Sequence, residues 1–185
     1  MTSCARDDYH IRIEGIHREL GIPETYRRQC GLAIQPEAGS LVNIEMDVFG
    51  RQPQLEAGTC RAWQRMKAAA LVAGIELLVV SAYRSVEYQK AIFIRKLAAG
   101  QVLEDILKVN AAPGFSEHHS GRALDIGCQG FAHLSDDFEN SPAYRWLSAN
   151  AQSFGFSLSF PRNNRFGVLY EPWHWMYSPA AEKNK

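Results

Sequence analysis

Glycine cuts this chain into short pieces, and that punctuation limits what it can fold into. From Tyr9 the apolar positions Tyr9, Ile13, Ile16 and Leu20 recur at helical spacing, and Gly21 with Pro23 ends the run. A second short helix is expected from Pro23 toward Gly31. Thr59 is placed to cap a helix from Cys60 to Ala73, with Trp63, Met66, Ala70 and Ala73 on one face and Gly74 as its stop. Ser85 is placed to cap "VEYQKAIFIRKLAA", which Gly100 closes, and a shorter helix over Val102 to Lys108 precedes the Pro113–Gly114 turn. Ser141 followed by Pro142 starts a helix that runs to Phe154 and stops at Gly155. Between and after these runs lie strand-like stretches: "LVNIEM", the mostly buried "IELLVVSAY", "GRALDIGC", "FSLSF" and "EPWHWMY". The rest of the stretch between Ala33 and Ala57 is rich in Pro and Gly and reads as loop. Helices come first and strands mixed with helices follow, which predicts an α+β fold with a small, mainly antiparallel sheet flanked by helices.

A chain of 185 residues, 46% hydrophobic and 22% charged, has room for a core and is expected to form one domain over 1–185. Twenty basic and twenty acidic side chains cancel, and Lys and Arg show no dense run, so nucleic acid is not an expected partner. No apolar run reaches the roughly 18–20 residues that span a bilayer. The start "MTSCARDDYH" carries acids where a secretory leader needs a basic and then an apolar stretch, which predicts a cytoplasmic protein. A leader missing from the chain as written would make it periplasmic or cell-envelope instead. Cys4, Cys30, Cys60 and Cys128 form no CxxC pair and read mostly as free thiols, Cys128 as a small buried one.

The chemistry concentrates in "FSEHHSGRALDIG". Strand alternation puts Ala123, Asp125 and Gly127 on one face and Leu124 and Ile126 on the other. With Leu124 and Ile126 toward the core, Asp125 faces an open groove, and Gly121 permits the reversal that returns His118 toward it. An imidazole and a carboxylate are two ligands of a possible zinc site, and "EPWHW" supplies a third in His174. Three protein ligands leave zinc a fourth position for water, which the metal makes acidic enough for a nearby carboxylate to deprotonate. Glu171, three residues before His174, is the candidate base, and Arg84, where a buried strand emerges in "SAYRS", is the candidate stabiliser of the oxyanion. The bland alternatives are a loop histidine at 118 and a surface ion pair for Arg84, for instance with Glu87. His10 and His17 lie seven apart on one helical face and read as solvated.

"SEHHSGRALD" matches the S-x-H-x-x-G-x-A-x-D pattern of the zinc D-alanyl-D-alanine carboxypeptidases, a family that includes vancomycin-resistance carboxypeptidases and dipeptidases and L,D-carboxypeptidase relatives. "EPWHW" resembles their E-x-x-H element and "SAYRSVEYQ" their strand-to-helix segment with its arginine. The similarity runs from about Leu55 to Tyr177, with the three motifs in the family's order. It implies one zinc ion held by His118, Asp125 and His174, Glu171 as base, Arg84 as transition-state stabiliser, and Ser116 and Gln89 in contact with the peptide. His119 falls at a position the pattern leaves free and reads as orienting the loop or facing solvent. The implied activity is D,D-carboxypeptidase cleavage of a peptidoglycan precursor or muropeptide by a monomer. The rivals are L,D-carboxypeptidase, D,D-dipeptidase, cell-wall endopeptidase and a non-catalytic zinc module. Residues 55–177 would form the catalytic core, and residues 1–54 match nothing in the pattern.

Overall fold

A computed structural model of the chain describes residues 3–179. The helices are α1 (Ser3–Leu20), α2 (Tyr26–Gln29), α3 (Ala57–Val72), α4 (Val86–Ala98), α5 (Leu103–Val109) and α6 (Pro142–Asn150). The strands are β1 (Leu41–Asn43), β2 (Gln54–Glu56), β3 (Leu78–Ser81), β4 (Ala123–Gly127), β5 (Phe156–Leu158) and β6 (His174–Tyr177). β1 and β2 form an antiparallel pair, and the other four make one antiparallel sheet in the order β3-β4-β6-β5. The fold is α+β, as the order of elements predicts.

Boundaries differ from expectation where a side chain or the lack of a strand partner decides them. Glu56, not Thr59, caps α3: its carboxylate accepts from the Thr59 amide at 3.0 Å, and Thr59 is buried in the first turn. Ser85 does cap α4, its Oγ accepting from the Tyr88 amide at 3.0 Å. α6 tightens into a 3-10 turn at Ala151–Phe154 before Gly155 stops it with φ at 85°. "LVNIEM" pairs over only three residues, and "EPWHWMY" becomes strand only at His174.

Two apolar cores result. Trp63 and Met66 of α3, Leu77 and Val79 around β3, and Leu124, Ile126 and Trp175 of the sheet belong to one. Ile13, Ile16 and Leu20 of α1, Val86 and Phe93 of α4, Ile106 of α5 and Phe115 belong to the other. Cys30, Cys60 and Cys128 are free and buried; the Cys4 side chain lies outside the described residues. His17 is not solvated as expected, because its ring lies 2.8 Å from the Pro113 carbonyl through Nε2 and packs beside Phe115.

Candidate active site

β4 is the central strand of the site. Leu124 and Ile126 point into the sheet core, so Asp125 must point to the other face. The register sets Asp125 opposite His174 on β6 and, across an irregularity in β3, opposite Ser81. His118 arrives from a 3-10 turn at Glu117–Ser120 that Gly121 ends with φ at 67°. A Cβ at Gly121 would also lie 2.9 Å from the Glu56 amide nitrogen, so both conformation and space demand glycine there.

The three side chains converge. His118, Asp125 and His174 are all buried, and each offers one ligand atom within 4.8 Å of the other two. His174 Nδ1 is 2.9 Å and His118 Nε2 is 3.3 Å from Asp125 Oδ1. The far side of each ring is held: His118 Nδ1–H donates to the Ala82 carbonyl at 2.6 Å, and His174 Nε2–H to Glu117 Oε2 at 2.8 Å. These bonds fix both tautomers, leaving His118 Nε2 and His174 Nδ1 to face each other's neighbourhood. His118 Nε2 is buried with no hydrogen-bond partner among the described residues. Such an orphan costs about 1–3 kcal/mol unless something binds it. Two imidazole nitrogens and a carboxylate around one point are a ligand set that suits a divalent zinc ion.

Electrostatics agree with a cation there. Burial pushes the His118 imidazole down to about 4, helped by Arg84 and only partly opposed by Asp125, which favours the neutral ring that metal binding requires. Burial would raise the Asp125 carboxyl, but His118 and His174 outweigh it and hold it well below the usual range. Burial would lower His174, yet Asp125 and Glu117 outweigh it and carry the ring to about 10. A divalent ion beside Nδ1 competes with that proton for the same place.

Glu171 sits in the turn before β6, its Oε2 4.0 Å from His174 Nδ1. Burial first, then the charges of Asp125 and Glu117, push its carboxyl up to about 7 against the pull of His174 and Arg84. A group poised there can exchange protons near neutral pH. Arg84 faces Asp125 from the end of β3, with Nη2 3.9 Å from Oδ2. Its Nη1 donates to Gln89 Oε1 at 3.3 Å, and its buried Nε has no partner among the described residues. Gln89 is buried in α4 and donates to the Ala111 carbonyl at 2.9 Å, so it holds the guanidinium as well as facing the cleft. Gln89, Ser116, Glu117, Glu171 and His174 line a small inner chamber of about 30 Å³, and a 580 Å³ cavity bordered by Arg84 and Glu171 opens outward.

Two side chains at the site carry no signal in a single sequence beyond their place next to His118. Glu117 is bound to His174 and to Ser159 Oγ, the latter at 2.6 Å, partners that lie 57 and 42 residues away. His119 is fully buried, and its Nδ1–H donates to the Arg84 carbonyl at 2.6 Å while Nε2 accepts from the Gly114 amide at 3.0 Å. It orients the loop, one of the two roles expected of it.

Against known proteins, the family model described as VanY, D-alanyl-D-alanine carboxypeptidase, matches residues 52–180. The chain belongs to that family. The Bacillus subtilis protein YodJ shares 37% identity over 123 residues, which are 63% of this chain and 43% of YodJ. The chain spans about half the length of the curated VanY-type relatives it matches. A solved structure of the LdcB LD-carboxypeptidase superimposes with a TM-score of 0.68 at 31% identity, covering 76% of this chain and 69% of LdcB. A variant of VanY, a vancomycin-resistance D,D-pentapeptidase, solved in complex with Zn(II), gives 0.59 at 27%, covering 79% and 86%. Among the described residues no helix is long and apolar enough to cross a membrane.

Proposed function

We propose that this VanY-family chain is a zinc D,D-carboxypeptidase that removes a terminal D-alanine from peptidoglycan-type peptides, as a monomer with one ion. One observation carries the reading: ligand atoms of three buried side chains, two from one short segment and the third about fifty residues on, lie within 4.8 Å of one another, beside a carboxylate poised near neutrality. His118 Nε2, Asp125 and His174 Nδ1 would hold the ion. Bound there, zinc supplies Lewis acidity and makes a water molecule acidic near neutral pH. Glu171 takes the proton from that water and later returns it to the departing amine. Arg84, kept in place by Gln89, turns its guanidinium toward the charge that develops on the carbonyl oxygen. The outer cavity takes the end of the peptide, and Ser116 and Gln89 reach it from the wall of the inner chamber alongside. Residues 55–177 serve as the catalytic core of a single domain.

The likeness to LdcB favours a second reading, cleavage after an L-configured residue on the same site. A D-Ala-D-Ala dipeptide, a pentapeptide and a tetrapeptide, with products weighed by mass spectrometry, separate the two and expose dipeptidase activity. Chelation should abolish D-alanine release and added zinc restore it. Glu171→Gln should keep zinc and lose about 10²–10⁴-fold in kcat, the usual share of a positioned acid–base group. Full turnover in that variant removes the mechanism.

A further inference from the structure

Lys96 lies on α4 seven residues, about two turns, after Gln89. It is partly buried and borders the 580 Å³ cavity together with Arg84, Arg162, Tyr170 and Glu171. The other lysines among the described residues each hold a carboxylate: Lys67 with Glu45 at 2.7 Å, Lys90 with Glu19 at 2.6 Å and Lys108 with Asp105 at 2.7 Å. Lys96 has no ion pair among the described residues. Its ammonium is pushed down by burial first and then by Arg95 and Arg84, with no carboxylate drawing it back up.

The cavity's other charges are committed. Arg162 is bound to Glu139 at 2.7 Å and stacked 4.2 Å over the Tyr170 ring, and Asp136 adds its charge to Arg162. Asp125 lies between His118 and His174, and Glu171 beside His174. Arg84 faces Asp125 at 3.9 Å and bonds Gln89, so among the described residues Lys96 is the cation bordering this cavity that has no ion pair, and Arg84 repels it. An arriving anion relieves that repulsion.

We infer that Lys96 is a substrate-reading residue, which seats a carboxylate of the peptide in the outer cavity. This rests on the carboxypeptidase reading above. Two carboxylates could supply the chemistry: the free C-terminus of the peptide, or the side chain of a diaminodicarboxylic residue standing where other peptides carry lysine.

Three peptides distinguish these sources: one with lysine before D-Ala-D-Ala and a free C-terminus, the same with a C-terminal amide, and the first with a diaminodicarboxylic residue replacing lysine. Wild-type, Lys96→Met and Lys96→Arg proteins, zinc-loaded, are compared by KM and kcat and by calorimetric Kd. Lys96→Met should raise KM and Kd about tenfold or more, the worth of a hydrogen bond to a charged group, with the loss on KM rather than kcat. Lys96→Arg should restore most of it. Weakened binding of both free-acid peptides but not the amide assigns the C-terminus. Weakening confined to the dicarboxylic peptide assigns the side chain. KM and Kd unchanged for all three overturn the role of Lys96. Peptides that bind but are never cut by wild-type protein overturn the carboxypeptidase reading instead, and Kd still reads the lysine.

Discussion

The sheet core and the helical core treat the paired histidines differently. His118 turns its ring to the sheet side, where Asp125 and His174 wait across two strands. His119, the next residue, turns its ring the other way and bonds the Arg84 carbonyl and the Gly114 amide. Gly114 packs so closely on Ile13 of α1 that a Cβ there would lie 2.7 Å from Ile13 Cδ1. The His118, Asp125 and His174 cluster thus depends on strand register, while the cleft wall of Arg84, Gln89 and Lys96 depends on α4 and the helices behind it. Arg84 stands at the seam: Val79 and Ala82 before it belong to the sheet core and Val86 after it to the helical core. Zinc content and catalytic geometry should therefore be separable by substitution.

His119→Ala tests that separation most severely. It empties a fully buried site and strands the Arg84 carbonyl and the Gly114 amide, which should cost on the order of 3 kcal/mol. Calorimetry should show a melting temperature lower by roughly 6–12 °C. Zinc measured by atomic absorption should stay near one per chain at low temperature, while kcat falls because Arg84 loses its backbone anchor. Loss of zinc in step with stability would show that the two cores do not act separately.

Glu117→Gln probes the sheet side alone, with a smaller effect. The amide can still touch His174 Nε2 but cannot hold its proton as the carboxylate does at 2.8 Å. Supporting partners of this kind are worth about 10–100-fold in metal affinity. Competition with a chromophoric chelator should show a weaker zinc Kd in that range, with a melting temperature of the metal-free protein that falls less than in His119→Ala. An unchanged zinc Kd would leave Glu117 a packing residue.

What was legible in the sequence divides along the same seam. Asp125 could be placed because Leu124 and Ile126 leave it only one face, and Gly121 announces the turn that returns His118. The α+β class followed from short runs cut by glycine and capped by residues such as Ser85. Contacts between polar side chains and remote segments have no period to betray them. Glu117 meets His174 across 57 residues, and Glu37 accepts from the Val86 amide across 49 while bound to Arg12 of α1. The way Arg12 and Glu37 lean on the start of α4 therefore could not be read in advance, and neither could the partial burial of His17, whose seven-residue spacing from His10 suggests a wet helix face.

His17 gives the gentlest test, confined to the helical side. Burial lowers its pKa, partly offset by the bond to the Pro113 carbonyl and the charge of Glu14. The fold favours the neutral ring, so this contribution is fully present above the unfolded value near 6.5. It is lost as the pH falls from there through the lowered folded value, because the unfolded chain then binds a proton that the native chain resists. Melting temperature should fall between pH 7.5 and 5, and His17→Gln should flatten that dependence. Metal-free protein is the sample of choice, since zinc binding carries its own pH dependence on the sheet side. If the His17→Gln slope equals that of the parent, the acid sensitivity belongs to the more deeply buried imidazoles, His118 on the sheet side and His119 on the helical side, and not to His17.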